Sequence, residues 1–166
     1  MITLSLAKEV FDFDPKSGAL FWRRGSRRAA VGSRAGYVHR GTGYRLIKVD
    51  GIRLREHHVV WLMFHGEWPM GEIDHRNRCR DDNSPGNLRM ASVAQNRANA
   101  SLRHDNQTGY RGVYLHKQSG RYHAELRVNG VKRSLGLYGT AEEAGEAARL
   151  ARIAAYGQFA PSYDSI

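Results

Sequence analysis

Apolar positions recur along the 166 residues in two rhythms, one helical and one alternating. Leu6 and Val10 share one face of a short helix that Thr3 can cap, predicted to run through Phe11. Asp14-Pro15-Lys16-Ser17-Gly18 sets proline and glycine where a tight turn needs them, and Ala19–Trp22 then reads as a strand. Two apolar runs, 44–49 and 52–54, flank Asp50-Gly51, a strong signal for a two-residue hairpin. From Glu56 to His65 the spacing of Val59, Val60, Met63 and Phe64 is helical, with Gly66 as a stop and Trp68-Pro69 breaking any continuation. Ser92 and Gln95 form a capping box that opens another helix, with Asn96 just inside its first turn. Residues 101–109 are polar and aperiodic, and read as a linker.

The last third alternates most clearly. Strands are predicted at Tyr110–His116, Arg121–Val128 and Val131–Tyr138, with Asn129-Gly130 pairing Val128 with Val131 and Arg127 with Lys132. Tyr122, Ala124, Leu126 and Val128 then share an apolar face with Val131, Leu135 and Leu137. Arg121, His123, Glu125, Arg127, Lys132 and Ser134 take the other face. Thr140 and Glu143 form a second capping box, opening a helix to Tyr156 with a small-residue stripe of Ala144, Ala147, Ala148, Ala151 and Ala155. A sheet covered on one side by this helix keeps a wet, mostly cationic face on the other.

Charge changes the picture. Lys and Arg number 26 against 16 Asp and Glu, a formal charge of +10 that favours a polyanionic partner, most often nucleic acid. Residues 1–51 hold ten of the basic residues and only four of the acids, notably Arg23, Arg24, Arg27 and Arg28, followed by Arg34, Arg40, Arg45 and Lys48. This excess suits either phosphate contacts or a solvated loop. The single cysteine, Cys79, excludes an internal disulfide and a multi-cysteine zinc site. No run of 18 apolar residues is present, so no membrane-spanning helix is expected. The first residues turn acidic too early for a secretory signal, and a cytoplasmic location is expected.

Asp74, His75 and Asn96 carry the chemistry of the middle segment. A carboxylate and an amide carbonyl are hard oxygen donors suited to Mg²⁺, and a histidine can take a proton from an attacking water. Phosphodiester hydrolysis needs that combination. Neighbours in a regular strand point to opposite faces, so Asp74 and His75 share a site only if the backbone bends there. The same residues also suit a loop cap and a surface histidine. His57 reads as a packed or supporting group and His58 as a surface residue, while the Arg76–Arg80 loop offers phosphate contacts through Arg76 and Arg78.

The run His57-His58-Val59-Val60-Trp61, Gly66-Glu67-Trp68-Pro69, Ile73-Asp74-His75, Asp82-Asn83, Asn87-Leu88-Arg89 and Gln95-Asn96 resembles the HNH endonucleases, the ββα-metal nucleases of phages and mobile introns. Phe13–Gly18, Phe21-Trp22 and Val31–Gly36 resemble the leader of phage-type members, so the likeness covers roughly residues 4–100. It implies that Asp74 and Asn96 hold the metal, that His75 activates water, and that Asn87 braces the loop between the strands. Asn96 stands where many members carry a final histidine, which implies Mg²⁺ over zinc, with Mn²⁺ or another divalent ion able to substitute.

Gly109–Val113, Ala124–Arg127, Leu135–Tyr138 and Thr140–Ala144 resemble the plant ethylene-response-factor DNA-binding domain, over about residues 108–160. That likeness implies a three-stranded sheet reading the major groove. Arg111, Glu125 and Arg127 match contact positions by type and Lys132 by charge, while Tyr114, His116 and Ser134 replace Arg, Arg and Trp. Arg121 lies on the same exposed face.

The expected fold is α+β: a ββα-metal HNH core with a small N-terminal α/β leader, then a three-stranded antiparallel sheet packed on one helix. The expected parts are a basic segment 1–51, a nuclease core 52–104 and a DNA-binding domain 105–166. The expected activity is divalent-metal-dependent cleavage of duplex DNA by a phage-borne or homing-type enzyme. A non-catalytic, sequence-specific DNA-binding regulator on the same scaffold is the alternative. One catalytic set per chain predicts a nick from a monomer, and a double-strand break would need a homodimer or two successive events.

Overall fold

Thr3 sets the first element: its Oγ1 accepts from Leu6 N at 3.1 Å and starts α1 (Leu4–Val10). The helix stops one residue before the predicted end, because Phe11 enters β1 (Phe11–Asp14), which pairs antiparallel with β2 (Ala19–Trp22). The periodicity of Leu6 and Val10 gives no hint of this handover, since Phe11 suits either element. The computed structural model describes residues 1–25 and 29–161, and the chain divides into two compact units, Met1–Ala91 and Ser92–Ile166.

In the first unit, β3 (Tyr37–Val38), β4 (Arg45–Val49) and β5 (Ile52–Arg55) form an antiparallel sheet in the order β3-β4-β5. Val49 faces Ile52 across Asp50-Gly51, whose φ angles of 46° and 83° are those of the primed turn that matches strand twist. The helix α2 (Glu56–His65) has its predicted limits, with Gly66 left-handed at φ 83° and its N–H closing on Leu62 O. A further hairpin pairs β6 (Glu72–His75) with β7 (Leu88–Ala91). Val10, Phe11, Leu20, Ile47, Val59, Val60, Leu62 and Ile73 meet in one core, so α1, β1, β2, β4, α2 and β6 are held against each other. Burial on this scale is the main stabilising term of the unit.

The second unit begins with α3 (Val93–Asn99), whose Ser92/Gln95 capping box is fully formed. Residues 101–109 hold no helix or strand. The strands β8 (Val113–His116), β9 (Arg121–Val128) and β10 (Val131–Tyr138) are ordered β10-β9-β8, and Val128 and Arg127 pair with Val131 and Lys132. The helix α4 (Ala141–Tyr156) opens on the Thr140/Glu143 box and packs Ala144 and Ala148 against Val113 and Ala124.

Two details differ from the alternation. The register slips between Ser134 and Gly136, so Leu137 pairs with His123 and moves to the exposed face, 40% accessible, instead of joining Leu135. A bulge adds one residue and inverts every later side chain, which strict alternation cannot anticipate. On α4, Ala155 is exposed, and Arg152, only 2% exposed, lies on the buried side. Among the described residues, no helix is long and apolar enough to cross a membrane.

Candidate functional site

His75 closes β6, opposite Leu88, and Asp74 stands opposite Arg89. Both residues are 4% exposed. Asp74 Oδ2 accepts from Nε and Nη2 of Arg89, each at 2.7 Å. The strand keeps regular pairing through His75, and the chain turns only afterwards, where Arg78 N donates to His75 O at 2.9 Å. The backbone therefore does not bend between Asp74 and His75, the condition for their sharing a site, and turns only one step later.

The imidazole of His75 meets Asn83 Oδ1 through Nε2 at 3.0 Å. The His57 ring stands edge-on to it at 5.0 Å, and the Tyr44 ring lies 5.9 Å away. Burial pushes the His75 pKa below the usual histidine value, and the Arg80 charge pushes in the same direction. The Asn83 contact and the carboxylates of Asp74 and Asp82 work against that shift. His57 is driven further down, to about 2, chiefly by burial and then by its charged neighbours. His58 is half-buried, and burial lowers its pKa as well, contrary to a plain surface position.

Asn87 ties together the loop between β6 and β7. Its Oδ1 accepts from Asn77 N at 3.0 Å and its Nδ2 donates to Asp82 O at 2.7 Å. Asp82 accepts from Ser84 Oγ and Asn77 Nδ2, and these contacts hold its carboxyl below the usual range. The 14–18 turn approaches the same loop closely. Gly18 has φ 70°, and a Cβ there would lie 1.9 Å from Asn83 O, so only glycine fits. Arg76 is exposed, and Arg78, half-buried on the same loop, adopts φ 64°.

A buried acid stands behind this loop. Glu56, on the first turn of α2, has no exposed surface. Arg34 grips both its oxygens, with Nη2 at 2.9 Å from Oε2; Asn83 Nδ2 donates to Oε2 at 2.6 Å, and Arg45 Nε lies 3.6 Å away. Arg45 also holds Asp81 at 2.9 Å. Arg34 and Arg45 thus neutralise acids inside the unit. A glutamate opening an apolar helix was the available signal, but a favourable helix-terminus charge explains it equally well. Arg23 pairs with Asp12 at 2.6 Å, and Arg24 with Glu9 at 3.0 Å and Asp50 at 3.3 Å; all of these are exposed. Arg27 and Arg28 lie outside the described residues.

Asn96 lies on α3 and is half-buried, in the second unit, whereas Asp74 and His75 belong to the first. Arg111 sits just before β8 and donates to the carbonyls of Arg97 and Ala98 at 3.0 and 2.9 Å, closing the C-terminal end of α3. Register gathers Tyr114, His116, Arg121, His123, Glu125, Arg127, Lys132 and Ser134 on one face. On it Lys132 pairs with Glu125 at 3.1 Å and His123 meets Ser134 at 2.9 Å. Arg97, Arg111, Arg127, Lys132 and Arg152 ring a cavity of about 480 Å³ whose only acid is Glu125. Such a ring suits phosphate.

Among the described residues, no three His, Cys, Asp or Glu side chains are grouped to hold a metal ion. The donors expected from the sequence, the Asp74 carboxylate and the Asn96 amide oxygen, are hard oxygens of the type a divalent ion takes; Asp74 Oδ2 accepts from Arg89, and Asn96 stands on α3 of the second unit. Residues 55–98, from the residue before α2 into α3, match the family model described as HNH endonuclease. No curated protein and no solved structure matches the chain.

Proposed function

We propose that the protein is a divalent-metal-dependent endonuclease that hydrolyses phosphodiester bonds in duplex DNA. The observation that carries this reading is His75, a buried imidazole held by Asn83 and next in the chain to Asp74, inside the segment that matches the HNH endonuclease family. His75 is assigned as general base, because its lowered pKa keeps the ring neutral and able to accept a proton near pH 7. Asn87 keeps the loop that carries Asn83 in shape. Asp74 and Asn96 are the residues that would hold the ion, which when bound supplies positive charge to the phosphate and to the leaving 3′ oxygen.

The exposed face of β8, β9 and β10 is assigned to DNA. Tyr114, His116, Arg121, Arg127 and Lys132 face outward there, and a contact from Arg127 to guanine would discriminate bases by about 1–3 kcal/mol. Arg111 contributes from the edge of the cavity, and Arg23, Arg24, Arg76 and Arg78 reach phosphates. The exposed pairs of Arg23 and Arg24 can exchange their acids for phosphate at little cost, since such pairs are weak. A phage or mobile-element homing role, exercised in the host cytoplasm, completes the proposal.

The grip of Arg89 on Asp74 favours a second reading, a DNA-binding regulator without catalysis. His75→Ala separates the two. The nuclease reading expects loss of plasmid nicking with DNA affinity within about twofold of the parent. Cleavage at the parental rate by this variant contradicts it, and a plasmid left uncut by the parent chain with every divalent ion tested supports the regulator.

A further inference from the structure

The buried carboxylate of Glu56 has no part in the roles assigned above, yet every group around it donates. Arg34 donates to both its oxygens and Asn83 Nδ2 donates to Oε2 at 2.6 Å. A guanidinium has only N–H groups, so both Glu56 oxygens serve as acceptors. The Asn83 group turned toward them is therefore its NH₂, which leaves the Asn83 carbonyl oxygen facing His75 Nε2 at 3.0 Å. An acceptor there requires the ring proton on Nε2, and the lone pair of the neutral ring then lies on Nδ1.

We propose that Glu56 is a positioning residue that selects the tautomer and orientation of His75 through Asn83. The consequence for catalysis rests on the assignment of His75 as general base, whereas the relay itself rests on the hydrogen bonds. Three features support it. Glu56 is 0% exposed and Asn83 1%, so neither can trade its partner for water. Arg34 Nη1 also donates to Leu20 O at 2.9 Å, which anchors the acid to β2. Gly18 lets the neighbouring turn lie close against the Asn83 backbone, which fixes the point from which its side chain starts. The rings of His57 and Tyr44 limit the tilt of the imidazole, and the relay decides which nitrogen carries hydrogen.

The test is nitrogen-15 NMR of the His75 ring in the full chain at about pH 8, above the ordinary imidazole range. The expected result is one tautomer, protonated at Nε2; protonation at Nδ1 overturns the proposal. In Glu56→Gln an amide can offer either of its groups to Asn83, so the orientation of Asn83 is no longer dictated. The two ring nitrogens of His75 then shift toward each other as tautomers exchange. Asn83→Leu, which leaves Glu56 with its arginines, is expected to do the same and serves if the first variant does not fold. An unchanged tautomer in the folded variants overturns the proposal. On plasmid, Glu56→Gln is expected to lower kcat roughly 10–100-fold with KM for DNA unchanged. An unchanged kcat beside mixed tautomers overturns the catalytic consequence. A parent chain that never cuts removes the nuclease reading and leaves the NMR result to decide the relay.

Discussion

His57 is 2% exposed, and its Nδ1 has no hydrogen-bond partner among the described residues. Burial holds its pKa at about 2 against an ordinary 6.5. The unfolded chain therefore takes a proton below pH 6.5 that the folded chain refuses, and stability falls as the pH drops through that value. Between about pH 7 and about pH 5 this single ring costs about 2 kcal/mol. Urea unfolding of the parent and of His57→Phe checks it: the parent loses that amount more, and parallel losses contradict the assignment. At this scale residue type alone singles out Asp74, His75 and Asn96 as candidates, and only the family resemblance adds Asn87. Glu56 and its arginines were hidden, because Arg34 and Glu56 lie 22 positions apart and meet only through the fold.

The best-read elements are those fixed by local chemistry. Both capping boxes, the Asp50-Gly51 and Asn129-Gly130 turns and the limits of α2 follow from residues close in the chain. What could not be read depends on partners: β1 exists because β2 lies beside it, and Leu137 changes face because β10 bulges against β9. Ser92→Ala should cost about 1 kcal/mol by freeing the start of α3, measured as a lower denaturation midpoint. Gly18→Ala should be more severe, about 2–4 kcal/mol, because it adds a strained φ to a backbone clash with Asn83. A neutral Gly18→Ala would show that the turn does not press on the loop.

For the whole molecule, the charge of +10 is partly spent inside the fold. Arg34, Arg45 and Arg89 face buried or partly buried acids, whereas Arg121, Arg127 and Lys132 are exposed on one face of the sheet. DNA affinity should therefore fall steeply with salt, each neutralised phosphate adding about −0.9 to the log–log slope. Lys132→Ala, which removes a phosphate contact from that face, should flatten the slope by about 0.9, and a slope near zero in the parent would remove the DNA-facing assignment. The most direct measurement is conversion of supercoiled plasmid to the nicked form by the full chain with Mg²⁺ or Mn²⁺, with and without EDTA. The account predicts nicking that the chelator stops and that His75→Ala lacks. No nicking at any protein excess with either ion, or nicking that persists in EDTA, would contradict it.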